Sequence, residues 1–161
     1  AAAGTPDQPA FDLYPATNHL QIEALLRPRG KAHHASLREL AERVRAIAEH
    51  RADMQSDFFN AMSVADAELT LKWLNGDLPS TSQQLSKGYQ KQGELFPGSA
   101  RKWDSVIRQL ELLAQFGRAL QADTSEIAAL EEIARALRPH KPSPAAKSTK
   151  DKPVPSKRKK R

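Results

Sequence analysis

Residues Pro79–Leu120 read PSTSQQLSKGYQKQGELFPGSARKWDSVIRQLELLAQFGRAL: a short helix, a loop, then one long amphipathic helix. In the long helix Trp103, Val106, Ile107, Leu110, Leu113 and Ala114 recur at three- and four-residue spacing. That spacing places all six on one face, as packing on a core requires. Ser99 stands where a side-chain cap would open this helix, and Gly117 offers the left-handed turn that would close it. The outward face carries Arg101, Lys102, Ser105, Arg108 and Gln109, able to meet phosphates or base edges. It also carries Asp104 and Glu111, which repel phosphate.

Upstream, residues 1–18 read as a flexible arm, small and polar at first, with Phe11, Leu13 and Tyr14 as an apolar cluster to pin it. Leu20, Ile22, Leu25 and Leu26 supply two helical turns that Pro28 and Gly30 end. Ser36-Leu-Arg-Glu39 matches a capping box, and Leu37, Leu40, Ala41, Val44, Ile47 and Ala48 form the stripe behind it. Phe58 and Phe59 stand as core anchors at a helix corner. A third helix is expected from Ser63, with Asp66 as a weaker capping partner, a stripe of Val64, Ala67, Leu71 and Leu74, and a stop at Asn75-Gly76. Trp73 lies off that stripe: core packing is its ordinary reading, and part exposure as a contact surface is the alternative. Leu85 and Tyr89 face inward from the short helix after Pro79. Asp123-Thr-Ser-Glu126 opens a last helix with Ile127, Leu130, Ile133, Ala134 and Leu137 inward, ended by Pro139. No run alternates in the manner of a strand. The expected fold is all-α, a bundle of about five helices spanning 19–138, with a basic tail at 139–161.

The net charge of +6 over 161 residues is unevenly placed. Residues 139–161 hold nine Lys/Arg against one Asp, whereas residues 1–138 hold 16 Lys/Arg against 18 Asp/Glu. Attraction to nucleic acid therefore rests mainly on the tail. Rich in Pro, Lys and Ser, the tail is expected to be disordered. It ends in Lys157, Arg158, Lys159, Lys160 and Arg161. Three readings stay open for it: a solubilising end, sequence-independent binding of phosphates, or a localisation signal or anionic-membrane contact.

Cysteine is absent, which excludes disulfides, thiol catalysis and cysteine-zinc sites. No apolar run is long enough to span a membrane, and AAAGTPDQPA lacks the basic and apolar segments of a signal peptide. Ala1 fits either removal of a Met or a piece of a longer chain. Expected locations are the cytoplasm or nucleoid of a bacterium, or the nucleus of a eukaryote. His33-His34 is the lone adjacent histidine pair, without ligand spacing, and Glu131-Glu132 reads as a solvated helix face. No nucleophile motif, phosphate loop or dinucleotide fingerprint is present, so neither catalysis, a cofactor nor a metal is expected.

Residues 64–120 together resemble a helix-turn-helix domain of the winged-helix type. ADAELTLKWLNGDLP looks like its first helix, PSTSQQLSKGY its second, and SARKWDSVIRQLELLAQFGRAL its third, the recognition helix. RKWDSVIRQLELLAQFGRAL is similar to C-terminal winged-helix segments of some bacterial DNA methyltransferases and restriction enzymes. The loop QKQGELFPG is long for this motif, and a helix at 124–138 stands where the wing would follow. The resemblance implies a groove-facing set of Arg101, Lys102, Ser105 and Arg108. The leading expectation is a non-catalytic binder of nucleic acid, in particular double-stranded DNA, with a partner enzyme supplying any catalysis. Its rival is a helical interaction or adaptor module that docks or self-associates through stripes at 37–58 and 127–137. In the rival reading the tail only solubilises, localises or binds nucleic acid nonspecifically.

Overall fold

The computed structural model describes residues 12–26, 35–97 and 100–138, and the described residues are helical without strands. Six helices follow one another: α1 (Leu13–Leu26), α2 (Ala35–Met54), α3 (Phe58–Leu74), α4 (Leu78–Glu94), α5 (Ala100–Ala119) and α6 (Thr124–Leu137). The all-α class is as expected, with six helices in place of about five. α1 runs longer than the two turns expected before Pro28 because it starts at Leu13, inside the stretch assigned to the arm. Pro15 falls in its first turn, where backbone N–H groups lack helical acceptors, so it starts the helix rather than breaking it. Leu13, Thr17, Leu20, Gln21 and Ala24 form its buried stripe.

The order of packing is a closed circuit: α3 on α4, α4 on α6, α6 on α5, α5 on α1 and α1 back on α3, with α2 laid against α3 and α1. α3 is the hub, and its sequence shows why. Ala65, Ala67, Leu69, Thr70, Leu71, Trp73 and Leu74 are all buried, so this helix is enclosed around most of its circumference. That enclosure makes Trp73 a core residue and not a part-exposed contact surface. It is 1% exposed, and its Nε1 donates to Glu126 Oε2 of α6 at 3.0 Å.

Local signals set the helix ends. Asp57 caps α3 by accepting from the backbone N–H of Asn60 at 2.9 Å, which brings Phe58 and Phe59 into the first turn. The start expected near Ser63 is thus five residues late. Ser63 donates back to the Phe59 carbonyl, and Asp66 is engaged by Tyr89 of α4. α2 begins at Ala35, so Ser36 lies inside its first turn instead of capping it. At the end of α3, Gly76 has φ +81°, with Asp77 N–H on the Lys72 carbonyl at 2.9 Å and Gly76 N–H on that of Trp73 at 3.0 Å. This is a Schellman closure. α5 closes in the same way, with Ala122 N–H on the Gly117 carbonyl and Gln121 N–H on that of Arg118. The left-handed residue there is Gln121, at φ +56°. Gly117 lies within the helix, where a Cβ would come within 3.0 Å of Ile127 and 3.2 Å of Leu25. Its missing side chain lets α1 and α6 approach α5, a packing role in place of the expected turn.

The six apolar positions of α5 and the five of α6 are all buried. The stripe at 127–137 is consumed by the core and offers no surface for self-association. Of the 37–58 stripe, Ala41, Val44, Ala48 and Phe58 are buried, and Leu37, Leu40 and Ile47 pack partly against the core. Phe58 makes edge-on contacts with Phe59, Phe96 and Trp103, at centroid separations of 5.6, 6.3 and 5.6 Å. Trp103 in turn lies directly over Gly93 of α4, where there is no room for a Cβ.

Candidate functional site

α1 and α5 meet where Leu25 reaches Gly117 and where Gln109 Nε2 donates to Gln21 Oε1 at 3.4 Å. Beside this contact a groove of about 730 Å³ opens between the two helices, floored by α3. Each helix contributes a second stripe in addition to its core stripe. On α1 it is Tyr14, Asn18 and Ile22, four residues apart, and on α5 Ser105, Arg108, Leu112 and Phe116. α3 adds Phe59, Ser63 and Asp66. Positions four apart on a helix stack one turn above another, so these sets are continuous rows.

The apolar members of the rows are left open to solvent. Tyr14 is 69% exposed, Phe59 56%, Ile22 and Phe116 50% and Leu112 48%. Large apolar side chains scattered singly are normal on a protein surface; here five converge on one groove. Leu26, Met54, Leu95 and Leu120 are also exposed but do not line it.

One acid stands in the floor. Tyr89 Oη donates to Asp66 Oδ1 at 2.5 Å, across from α4 to α3. Burial pushes the Asp66 carboxyl up to about 6, only partly opposed by the Tyr89 hydrogen bond. Tyr89 itself is raised well above the ordinary phenol range by burial first, then by the charge and hydrogen bond of Asp66. At neutral pH the groove therefore holds a carboxylate in an environment that resists its charge.

The residues expected to face DNA divide between two settings. Arg101, Lys102, Ser105 and Arg108 are all exposed on α5. Lys102 Nζ lies over the Phe58 and Phe59 rings, 5.8 and 5.5 Å from their centroids, a cation–π arrangement that occupies its charge. Ser105 and Arg108 line the groove, and Arg101 does not. Lys157, Arg158, Lys159, Lys160 and Arg161 lie outside the described residues, as do Ser99, Phe11 and the His33-His34 pair. The described residues hold 13 Lys/Arg against 17 Asp/Glu. In a helix-turn-helix the second helix packs across the recognition helix. Here the main neighbours of α4 are α3 and α6, and those of α5 are α6 and α1.

Among the described residues no group of three or more His, Asp or Glu is placed to share a metal ion, and no helix is long and apolar enough to cross a membrane. A polar cluster between α5 and α6 pairs Arg118 with Glu131 and Arg138 with Glu111, joining the two helices at their solvent edge. Comparison with protein-family models, with curated proteins and with solved structures gives no match.

The groove was only partly legible in the sequence. Leu112 and Phe116 are the apolar residues of α5 left over once its core stripe is assigned, and that remainder is a readable signal. Tyr14 fell in a stretch read as an arm, so the α1 wall had no counterpart to pair with.

Proposed function

We propose that this chain is a non-catalytic helical interaction module, docking an apolar element of another protein in the α1–α3–α5 groove. The observation that carries this reading is the convergence of Tyr14, Ile22, Phe59, Leu112 and Phe116 around one groove. A folded chain leaves such a cluster open to water when something else covers it. The groove is lined by side chains of α1, α3 and α5 with apolar residues from each, a lining suited to the apolar face of an amphipathic helix. Along α5 the lining runs from Ser105 to Phe116, roughly 16 Å or three turns at 1.5 Å per residue.

Nucleic-acid binding is the second reading. It rests on the exposure of Arg101 and Arg108 on one helix together with the basic run at 157–161. The excess of acidic residues in the body assigns phosphate affinity to the tail, where it would be nonspecific and steeply dependent on salt. A helix-turn-helix docking, with Arg101, Lys102, Ser105 and Arg108 in a groove of DNA, belongs to this reading.

The two readings separate in one pair of experiments. The full chain and its Leu112→Asp/Phe116→Asp variant are used to capture partners and, separately, to bind duplex DNA at two salt concentrations. The interaction reading expects the variant to lose its protein partner while keeping its DNA affinity. Loss of DNA affinity in Arg101→Ala/Arg108→Ala, with the tail present, would favour the helix-turn-helix reading instead.

A further inference from the structure

The geometry points to the chemistry of the groove's occupant: we infer an amphipathic helix that carries one Lys or Arg within its apolar face, placed to meet Asp66. The inference rests on the interaction reading above and goes one step further. Asp66 lines a groove whose exposed surface is mostly apolar, with Ile22, Phe59, Met62, Val106, Leu112 and Phe116 among the other lining residues. Its Oδ1 accepts from Tyr89, and that is the one hydrogen bond of its side chain among the described residues. Among the described residues no donor is bonded to its second carboxylate oxygen, which is left for one from outside. A carboxylate in such a place is costly unless paired, and an occupant that excludes water raises that cost further. An apolar helix without a cation would therefore be penalised at Asp66, whereas a helix with one is selected.

Other charges on the groove do not serve this purpose. Asp12 adds a second acid, and Arg108 lines the groove while the side chain of Asp66 is bonded to Tyr89. No other stretch of this chain suits the occupant's place. Residues 1–11, 27–34 and 139–161 contain no run of apolar residues at helical spacing. A second copy is a poor fit as well. Five half-exposed side chains of roughly 200 Å² each offer on the order of 500 Å² per copy, below the usual share of a stable dimer.

The test is a selection from a library of randomised amphipathic helical peptides of about 18 residues, long enough to hold a helix across three turns. The full-length chain is the target, followed by titration of the enriched peptides. The expected peptides lose binding to Leu112→Asp, and carry a Lys or Arg flanked by apolar residues three or four positions away. Replacing that residue by norleucine is expected to weaken binding about tenfold or more, and Asp66→Asn to erase that difference. Asn at 66 can still accept the Tyr89 hydrogen bond, so the fold is retained. If groove-dependent peptides lack a basic residue, or Asp66→Asn leaves the preference intact, the inference is overturned while the groove stands. If no enriched peptide depends on Leu112, both fall. A concentration-dependent dimer abolished by Leu112→Asp would make a second copy the occupant and also overturn it.

Discussion

Asp66 should reduce stability at neutral pH, and Asp66→Asn should relieve that cost. Its carboxyl titrates near 3.8 when free of the fold and near 6 within it. Between those values the folded chain binds more protons than the unfolded one, so the contribution of this group to stability falls as pH rises from about 4 to about 6. The difference between 3.8 and about 6 corresponds to roughly 3 kcal/mol. The residue is only part-buried, so solvent reduces that figure, and about 1–2 kcal/mol is the expected effect. Asn keeps the shape and the acceptor for Tyr89 without the charge. Urea denaturation near pH 4.5 and pH 7.5 reads the effect from the midpoint at constant slope. The variant's advantage should grow by about 1–2 kcal/mol across that interval. An advantage equal at both values, or a variant less stable near pH 7.5, would refute the reasoning. Confirmation would mean the chain carries a destabilising charge at its groove, as functional residues commonly are.

Three further substitutions test the packing. Gly93→Ala places a Cβ against the Trp103 ring, so it should destabilise by about 1–3 kcal/mol and shift the tryptophan emission. Trp73→Phe removes the donor to buried Glu126 and some core volume, and should cost about 2–4 kcal/mol by denaturant titration. Gln121→Gly relieves the left-handed backbone at the end of α5 and should raise stability by up to about 1 kcal/mol, visible as a higher Tm.

Much of the fold could be read from the chain because five of the helices obey the periodicity that burial imposes. Asn75-Gly76 and Asp123 acted as their residue types suggest, one as a Schellman stop and the other as a side-chain cap. The misreadings share a cause: local signals are ambiguous until tertiary neighbours are known. Ser63 and Asp66 look like a cap but lie inside a helix begun by Asp57. Trp73 lies off the stripe set by Leu71 and Leu74 and is still in the core, because the hub of the circuit is buried on several sides. Gly117 looked like a terminator but is a contact point for Leu25 and Ile127. The groove is harder still to read, since its walls come from residues nearly a hundred positions apart. Only the leftover pair Leu112 and Phe116 hinted at it. Asp66 and Tyr89 carry no local mark of their pairing, because it crosses from one helix to another.

On the proposed reading, the α1–α3–α5 groove is where this protein meets its partner. Its most direct test is photo-crosslinking in the cells the protein comes from, with a light-activated side chain at position 22 or 112 in the groove. A control carries the same group at exposed position 87 on α4. The account predicts a discrete protein adduct from 22 and 112 that is absent from 87. Equal adducts from all three positions, or none from the groove while nucleic acid is captured from position 101, would contradict it.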